Sequence, residues 1–150
     1  MIINAMINGE SIQKDCNPNK RLVDFLRDDM KLQSVKEGCG EGECGSCTIL
    51  LDQEAVMSCM VLTGQINGRK VTTVEGLDQM GELEPLVESF VNSGAVQCGY
   101  CTPGMVISTK ALLYKNPNPT EEEIKSALEG NLCRCTGYNK IVEAVKNIEE

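Results

Sequence analysis

Residues 38–52 read GCGEGECGSCTILLD, and this glycine- and cysteine-rich stretch decides how the chain is organised. Within it, residues 40–45 match the G-x-G-x-x-G fingerprint of a dinucleotide-binding turn, which needs an apolar strand before it and a helix N-terminus after it. The lead-in SVKEGC is mostly polar, and the residues that follow have the β-branched character of a strand. Glu41 and Glu43 would also repel phosphates. We therefore exclude dinucleotide binding by this loop and infer that its function depends on its cysteines.

The first set of cysteines has the spacing C-x4-C-x2-C-x11-C. A C-x4-C-x2-C run with a more distant fourth cysteine is the plant-ferredoxin spacing for a [2Fe–2S] cluster. The glycines between these cysteines let the chain curl tightly and leave backbone amides free to donate hydrogen bonds to the sulfurs of an anionic cluster. The predicted ligands of this first cluster are Cys39, Cys44, Cys47 and Cys59.

A second set of cysteines follows with the spacing C-x2-C-x31-C-x-C. Each of its two pairs lies at the start of a predicted helix, so helix packing would bring the pairs together. The predicted ligands of a second cluster are Cys98, Cys101, Cys133 and Cys135. Structural zinc remains the alternative for both sets, although C-x-C is unusual in zinc ribbons and the first loop is typical of ferredoxins. Cys16 belongs to neither set and is interpreted as an ordinary thiol.

Composition narrows the class of protein. A formal net charge of −8 argues against nucleic acid and against electrostatic attachment to an anionic membrane. No apolar run approaches the roughly 20 residues of a membrane span, and the N-terminus lacks the features of a signal peptide. These features indicate a cytoplasmic protein, in which nine cysteines favour metal binding over disulfides. Because histidine is absent, the commonest general base is missing, and no catalytic residue is predicted.

The pattern of apolar residues divides the chain near Gly76. Residues 1–76 are predicted to form a β-rich domain, with a helix from Leu22 to Met30. Its strands are predicted at residues 2–7, 11–14, 48–51, 55–58 and 70–74. Residues 77–150 are predicted to form a helical domain of about four helices, which makes the fold class α+β.

Four helices are predicted in the second domain. The first carries an apolar stripe from Leu83 to Val91 that is interpreted as core. The second starts at Thr102-Pro103, with Thr102 as its cap. The third runs from Thr120 to about Glu129, with Thr120 as N-cap and Glu123 completing a capping box. The last carries Ile141 and runs to the end of the chain.

Three stretches closely resemble the small iron–sulfur subunit of the molybdenum hydroxylases, the xanthine dehydrogenase family. They are residues 38–52, residues 93–105 (SGAVQCGYCTPGM) and residues 131–145 (NLCRCTGYNKIVEAV). The resemblance covers essentially the whole chain and includes all three cysteine motifs. It implies an N-terminal β-grasp, ferredoxin-like domain followed by an all-α four-helix bundle, each with one [2Fe–2S] cluster. By residue match, it also implies that Gln97 and Cys135 contact a pterin cofactor.

The same resemblance implies a function and partners. The chain would be the electron-transfer subunit of a heteromeric molybdenum hydroxylase, with a large subunit that holds molybdopterin and molybdenum and a medium subunit that holds FAD. Electrons would pass from molybdenum through the second cluster and then the first to FAD. The substrate would be an N-heterocycle such as a purine or nicotinate. The small subunit of a related molybdenum reductase or of a carbon monoxide dehydrogenase is the alternative within this class, and a structural zinc interaction module is the alternative from another class.

Overall fold

The computed structural model describes residues 1–148. Within this range the first half of the chain forms five strands, which are β1 (Ile2–Ile7), β2 (Glu10–Asp15), β3 (Thr48–Leu51), β4 (Glu54–Met57) and β5 (Lys70–Thr72). A short helix α1 (Leu22–Asp24) lies between β2 and β3 and continues as a π-helical turn over Phe25–Asp29. Two 3₁₀ turns, Ser58–Met60 and Thr63–Ile66, link β4 to β5.

These strands form one sheet in the order β2-β1-β5-β3-β4. The β1–β5 pair is parallel, and the other neighbouring pairs are antiparallel. Asn8, Asp52 and Gln53 adopt positive φ in the two tight hairpin turns, as short hairpin turns require. The β3–β4 hairpin pairs Thr48 with Met57. It therefore brings the end of the glycine-rich loop next to the first 3₁₀ turn.

The predicted helix from Leu22 to Met30 forms, but its second half has a wider turn. The amide of Met30 donates to the carbonyl of Phe25 at 3.0 Å, which is the i to i+5 spacing of a π-helix. Leu22, Phe25 and Leu26 are fully buried. These three side chains pack against the sheet in the segment where the helix widens from an α-helical to a π-helical turn. The spacing of apolar residues in the sequence does not reveal this widening.

The second half of the described chain is helical. Its helices are α2 (Val74–Gln79), α3 (Glu84–Asn92), α4 (Thr102–Lys115), α5 (Glu121–Leu128) and α6 (Asn139–Lys146). Helix α4 packs on α5 and on strand β3, whereas α6 packs on α3 and α5. The predicted capping box of α5 is confirmed, because the Glu123 amide donates to Thr120 Oγ1 at 3.3 Å and the Thr120 amide donates to the Glu123 carboxylate at 2.6 Å. The α+β fold class is confirmed as well.

The predicted end of the last strand is wrong. Val74 begins α2 instead of ending β5, because the amides of Gly76 and Leu77 donate to the Thr73 carbonyl and start a helical turn. The short helix α2 was not predicted. The predicted division of the chain at Gly76 falls within it.

Three further local predictions need correction. Helix α4 has Cys101 as its N-cap with no side-chain capping bond, so Thr102 is the first helical residue and not the cap. Ser58 starts a 3₁₀ turn and does not extend β4. In α3, Val87 and Val91 are 40% and 61% exposed. Because α3 packs mainly on α6, only one side of the predicted apolar stripe is core.

Strand β3 lies between two apolar cores. Ile49 and Leu51 belong to the core formed with α1 and the rest of the sheet. Leu50 belongs to the core formed by the helices. The two halves of the chain therefore pack against opposite faces of one strand, and the loop that precedes β3 is fixed from both sides.

The last helix was predicted to run to the end of the chain. In the structure α6 ends at Lys146, and residues 149 and 150 lie outside the described residues. None of the helices within residues 1–148 has the length and apolarity that a membrane span requires.

Candidate metal centres

The first set of cysteines gathers at one end of the β3–β4 hairpin. Cys39 and Cys44 lie in the loop before β3, Cys47 immediately precedes the strand, and Cys59 lies in the 3₁₀ turn after β4. The Cys59 amide approaches Cys47 Sγ at 3.5 Å. Ser58 fixes this geometry, because its hydroxyl donates to the Cys47 carbonyl at 2.7 Å. The hairpin thus brings together cysteines that are far apart in sequence.

Backbone amides surround the sulfurs of the glycine-rich loop. The amides of Glu41, Glu43 and Cys44 approach Cys39 Sγ at 3.4, 3.3 and 3.3 Å. The Cys39 amide approaches Cys44 Sγ at 3.4 Å. Such a concentration of N–H donors on two sulfurs fits thiolates that bind an anionic iron–sulfur centre. Glu41 and Glu43, whose carboxylates argue against phosphate binding, thus contribute their backbone amides to the cysteine site.

Glycine is required at two points of this loop. A Cβ atom at Gly38 would lie 2.9 Å from Cys44 Sγ, so a side chain there would displace the sulfur. Gly42 has φ of +79°, and a Cβ atom there would lie 2.9 Å from Met60 Cγ. Gly38, just before the apparent dinucleotide fingerprint, therefore lets the backbone approach the Cys44 sulfur, and Gly42 within the fingerprint lets the loop pack against Met60.

The thiols of the first set differ in acidity. Burial acts to raise the pKa of Cys44, but hydrogen bonds with Ser46 and with Cys39 outweigh it and lower this pKa to about 7. Burial raises the pKa of Cys59 to about 11, and the neighbouring Cys47 sulfur adds to the effect. The thiolate is the metal-binding form of cysteine. The lowered pKa favours the thiolate of Cys44, the raised pKa favours the protonated thiol of Cys59, and a bound metal would favour the thiolate at both.

The second set of cysteines gathers where α4 and α6 begin. Cys98 Sγ and Cys135 Sγ lie 3.7 Å apart. Burial raises the pKa of Cys101 to about 12, with a further contribution from its hydrogen bond to Cys133. Burial also acts to raise the pKa of Cys133, but the hydroxyl and amide of Thr136 outweigh it and lower this pKa to about 7. The structure therefore brings both predicted pairs together.

These contacts between cysteine side chains are pairwise. Within residues 1–148, no three Cys, Asp or Glu side chains are arranged as the ligands of a single metal ion. The fit to an iron–sulfur centre rests instead on the donor set, four thiols in each of two places, and on the amides that surround them.

The two sets are connected through the backbone. The Leu132 amide donates to the Cys44 carbonyl at 2.8 Å. Beside it, Asn131 Nδ2 donates to the Gly45 carbonyl at 3.2 Å, and the Ser108 hydroxyl donates to Asn131 Oδ1 at 2.7 Å. The segment that leads into Cys133 is therefore bonded directly to the loop that contains Cys44.

The remaining predicted site residues lie near the second set or away from both. Gln97 and Cys135 are exposed. Gln97 directly precedes Cys98, whose Sγ lies 3.7 Å from Cys135 Sγ, and the Gln97 side chain makes no hydrogen bond within the described residues. Cys16 is half-buried against the core of the sheet. Its amide donates to the Met1 carbonyl at 3.0 Å, and its thiol forms no disulfide within residues 1–148.

Sequence reasoning missed the polar residues that support the cysteines, which are Ser46, Asn131, Thr136 and Tyr138. Ser46 directly precedes Cys47 and Thr136 directly follows Cys135, and this proximity to a cysteine was an available signal. Asn131 could not have been found in this way, because its partner Gly45 is 86 residues away in sequence.

Comparison with known proteins identifies two domains with this arrangement. Residues 5–72 match the family described as a 2Fe-2S iron-sulfur cluster binding domain. Residues 73–146 match the family described as a [2Fe-2S] binding domain. The chain belongs to the small iron–sulfur subunits of the molybdenum hydroxylases. The resemblance noted in the sequence is thereby confirmed. The N-terminal half of the chain is a ferredoxin-like domain, and a helical domain follows it.

Three relatives illustrate the similarity. The nicotinate dehydrogenase small FeS subunit of Eubacterium barkeri is 54% identical over 96% of this chain and 92% of its own length. The nicotine 6-hydroxylase small subunit of Paenarthrobacter nicotinovorans is 50% identical over 95% of this chain and 86% of its own length. The crystal structure of quinoline 2-oxidoreductase from Pseudomonas putida 86 contains a chain that superposes with a TM-score of 0.92 at 43% identity, covering 98% of this chain and 91% of that one.

Proposed function

We propose that each cysteine set holds one [2Fe–2S] cluster and that the chain transfers electrons between partner subunits of a molybdenum hydroxylase. The observation that carries this proposal is the hydrogen bond from the Leu132 amide to the Cys44 carbonyl, which joins the two cysteine-containing segments. When bound, a [2Fe–2S] cluster accepts and releases one electron at a time. The chain's own residues hold the sulfurs, donate hydrogen bonds to them and join the two sites through hydrogen bonds between their segments.

The partners we propose are a large subunit with molybdopterin and molybdenum and a medium subunit with FAD, assembled as a higher-order hetero-oligomer in the cytoplasm. Gln97 and Cys135 are the proposed contacts to the pterin. Their exposure beside Cys98 supports this assignment, and the Gln97 amide can both donate and accept, as the mixed polar edge of a pterin requires. Electrons would then enter at the second set and leave from the first.

An N-heterocycle is the proposed substrate class of the whole enzyme. The names of the three relatives refer to nicotinate, nicotine and quinoline, each of which contains a nitrogen heterocycle. The substrate would bind the large subunit, so this chain contributes no catalytic residue. We further propose that residues 1–76 act as the β-grasp domain and residues 77–150 as the second domain. In this second domain α3 to α6 would form the four-helix bundle.

The direction of electron flow can be tested in the assembled complex with Cys44→Ser. This variant should keep the second cluster reducible by substrate in rapid-mixing experiments, while reduction of the flavin fails. A Cys133→Ser variant that loses only the second cluster should leave the first cluster and the flavin oxidised although molybdenum is reduced. Cys16→Ser is the matched control, and all centres should be reduced at the normal rate. Flavin reduction at the normal rate without the second cluster would refute the proposed order.

A further inference from the structure

The hydroxyl of Thr136 lies against the sulfur of a predicted cluster ligand. Thr136 Oγ1 is 3.2 Å from Cys133 Sγ, and the Thr136 amide is 3.5 Å from the same sulfur. Thr136 is not itself a predicted ligand. It differs in this respect from Cys135, its neighbour in the C-x-C motif.

A neighbouring hydrogen bond orients the Thr136 hydroxyl. A hydroxyl has one proton to donate and two lone pairs that accept. The Tyr138 amide donates to Thr136 Oγ1 at 3.3 Å and so occupies one lone pair. The hydroxyl proton then points to Cys133 Sγ, which is the acceptor within reach.

Tyr138 fixes the other end of the same loop. Its hydroxyl accepts from the Cys133 amide at 3.1 Å, so Cys133, Thr136 and Tyr138 form a closed ring of hydrogen bonds. Tyr138 has φ of +76°, a conformation that a bulky residue rarely adopts. Tyr138, in this strained conformation, contributes both its hydroxyl and its amide to the ring that holds the Thr136 hydroxyl against one sulfur.

A hydrogen bond to a ligand sulfur changes the redox behaviour of an iron–sulfur cluster. Reduction adds negative charge, and a donor aimed at the sulfur stabilises the more negative state, which raises the reduction potential. We propose that the Thr136 hydroxyl raises the reduction potential of the second cluster through its hydrogen bond to Cys133. This inference rests on the proposed function, since it requires that Cys133 binds that cluster. On reduction the cluster would take up one electron, which the proposed function assigns to the molybdenum centre of a partner subunit, and the proton would stay on the Thr136 oxygen.

The test is a redox titration of the assembled complex followed by electron paramagnetic resonance. Thr136→Val removes the hydroxyl and keeps the side-chain volume. It should make reduction of the second cluster about tenfold less favourable, a shift to lower potential of about 59 mV for one electron. Thr136→Ser retains the hydroxyl and should restore the native potential. The first cluster provides an internal reference that should not shift in either variant.

Thr102→Val is the matched control. Thr102 also follows a predicted ligand of the second cluster, and its side chain donates to no sulfur within the described residues. This substitution should leave both potentials unchanged.

Thr136→Ala, which removes the hydroxyl without placing a new methyl group near the sulfur, is the second test variant and should shift the potential in the same direction as Thr136→Val.

An unchanged potential in Thr136→Val and Thr136→Ala, with both clusters present, would overturn the inference. Loss of the second cluster from both variants, with Thr136→Ser intact, would also overturn it, because the hydroxyl would then serve assembly and not the potential. A wild-type complex that lacks the signal of a second [2Fe–2S] cluster would instead contradict the proposed function. The failure of either proposal can therefore be recognised separately.

Discussion

At the scale of single residues, the junction between the two cysteine sets depends on one close backbone contact. A Cβ atom on Gly104, near the start of α4, would lie only 2.3 Å from the Gly45 carbonyl oxygen. Gly45 follows Cys44 and has φ of +75°. These two glycines let α4 approach the cluster loop closely enough for Asn131 and Leu132 to bond to it.

Gly104→Ala should therefore weaken the junction, although alanine is the better helix former by about 1 kcal/mol. The new methyl group would collide with backbone, and overpacking of this kind typically costs about 1–3 kcal/mol. We expect a lower urea midpoint for loss of the visible absorption of the clusters. Gly130→Ala is the control, because its Cβ atom would meet only Met57 Cε at 3.4 Å. Equal midpoints in the two variants would show that the close approach is unimportant.

Cys16→Ser should leave the iron content of the chain unchanged. Cys16 is half-buried against the core beside the sheet and forms no disulfide within residues 1–148. Serine is close to cysteine in size, so the fold should tolerate it with a modest loss of stability. Iron and sulfide analysis of the purified variant checks this expectation. Loss of either cluster would mean that the eight remaining cysteines are assigned incorrectly.

The residue scale also shows what sequence reasoning could reach. Each cysteine set was predictable because the spacing of its members along the sequence favours iron–sulfur ligands. The junction of Gly45, Gly104 and Asn131 was not predictable, since it depends on contacts between residues that are distant in sequence. The same holds for the orientation of the Thr136 hydroxyl, which the Tyr138 amide sets.

At the scale of elements, helix α2 connects the two halves of the chain. Glu75, in its first turn, accepts from the Ser34 amide at 3.0 Å and from the Thr73 hydroxyl at 2.6 Å. The Ser34 hydroxyl also donates to this carboxylate. Just before the helix, the Asn8 side chain accepts from the Thr73 amide at 2.8 Å. These hydrogen bonds end β5 and start a helix. They outweigh the strand propensity of the β-branched residues 71–74, from which the strand was predicted to continue to Val74.

Glu75→Gln should lower the free energy of unfolding at neutral pH by roughly 1–2 kcal/mol, since bonds to a charged acceptor are stronger and this group is partly exposed. Burial acts to raise the pKa of Glu75, but its hydrogen bonds with Ser34 and Thr73 outweigh this effect and lower the pKa below its ordinary value. A lowered pKa in the folded state stabilises the fold above the unfolded-state pKa of about 4.3. That stability is lost as the pH falls through the folded-state value.

The measurement is urea unfolding of wild type and Glu75→Gln, followed by circular dichroism from pH 7 downward. The difference between the two proteins should stay constant to about pH 5 and shrink below about pH 4.3. Both proteins should lose their clusters in acid to the same extent, so this loss cancels in the difference between their free energies of unfolding. Glu122→Gln, at an exposed position of α5, serves as the control. A difference that grew on acidification would contradict the assigned sign.

Element boundaries show why some predictions were wrong. The existence and order of the strands and the capping box of α5 follow local patterns, and these patterns were sufficient, although the ends of β4 and β5 were predicted wrongly. The π-helical turn after α1 and the early start of α2 follow from tertiary packing and from Asn8. Helix α3 has an apolar stripe wider than the face it buries, because its pattern includes Val87 and Val91, which are exposed in the isolated chain.

At the scale of the whole molecule, the helical half exposes apolar side chains around the second cysteine set. They include Val96, Tyr100, Leu132 and Tyr138, with exposures of 38%, 47%, 52% and 40%. Exposed apolar surface of this kind is typical of a region that contacts another protein. It lies beside Gln97 and Cys135, the proposed contacts to the pterin of the large subunit.

The isolated chain should therefore associate with itself and should not oxidise substrate. No residue of the described chain is proposed to be catalytic, and the apolar surface would lack its partner. Analytical ultracentrifugation and an assay with an N-heterocycle and an artificial electron acceptor check both expectations. Addition of the large subunit should suppress self-association. Substrate oxidation by the chain alone, free of molybdenum and flavin, would contradict its role as an electron carrier.

The measurement that tests the central claim most directly is the metal and sulfide content of anaerobically purified protein, combined with electron paramagnetic resonance after reduction. Two [2Fe–2S] clusters require about four iron and four sulfide per chain and two distinct signals, with negligible zinc. The spacing of the cysteines and the amides around Cys39 and Cys44 predict this result. Two irons per chain, or stoichiometric zinc in a colourless protein, would contradict the account.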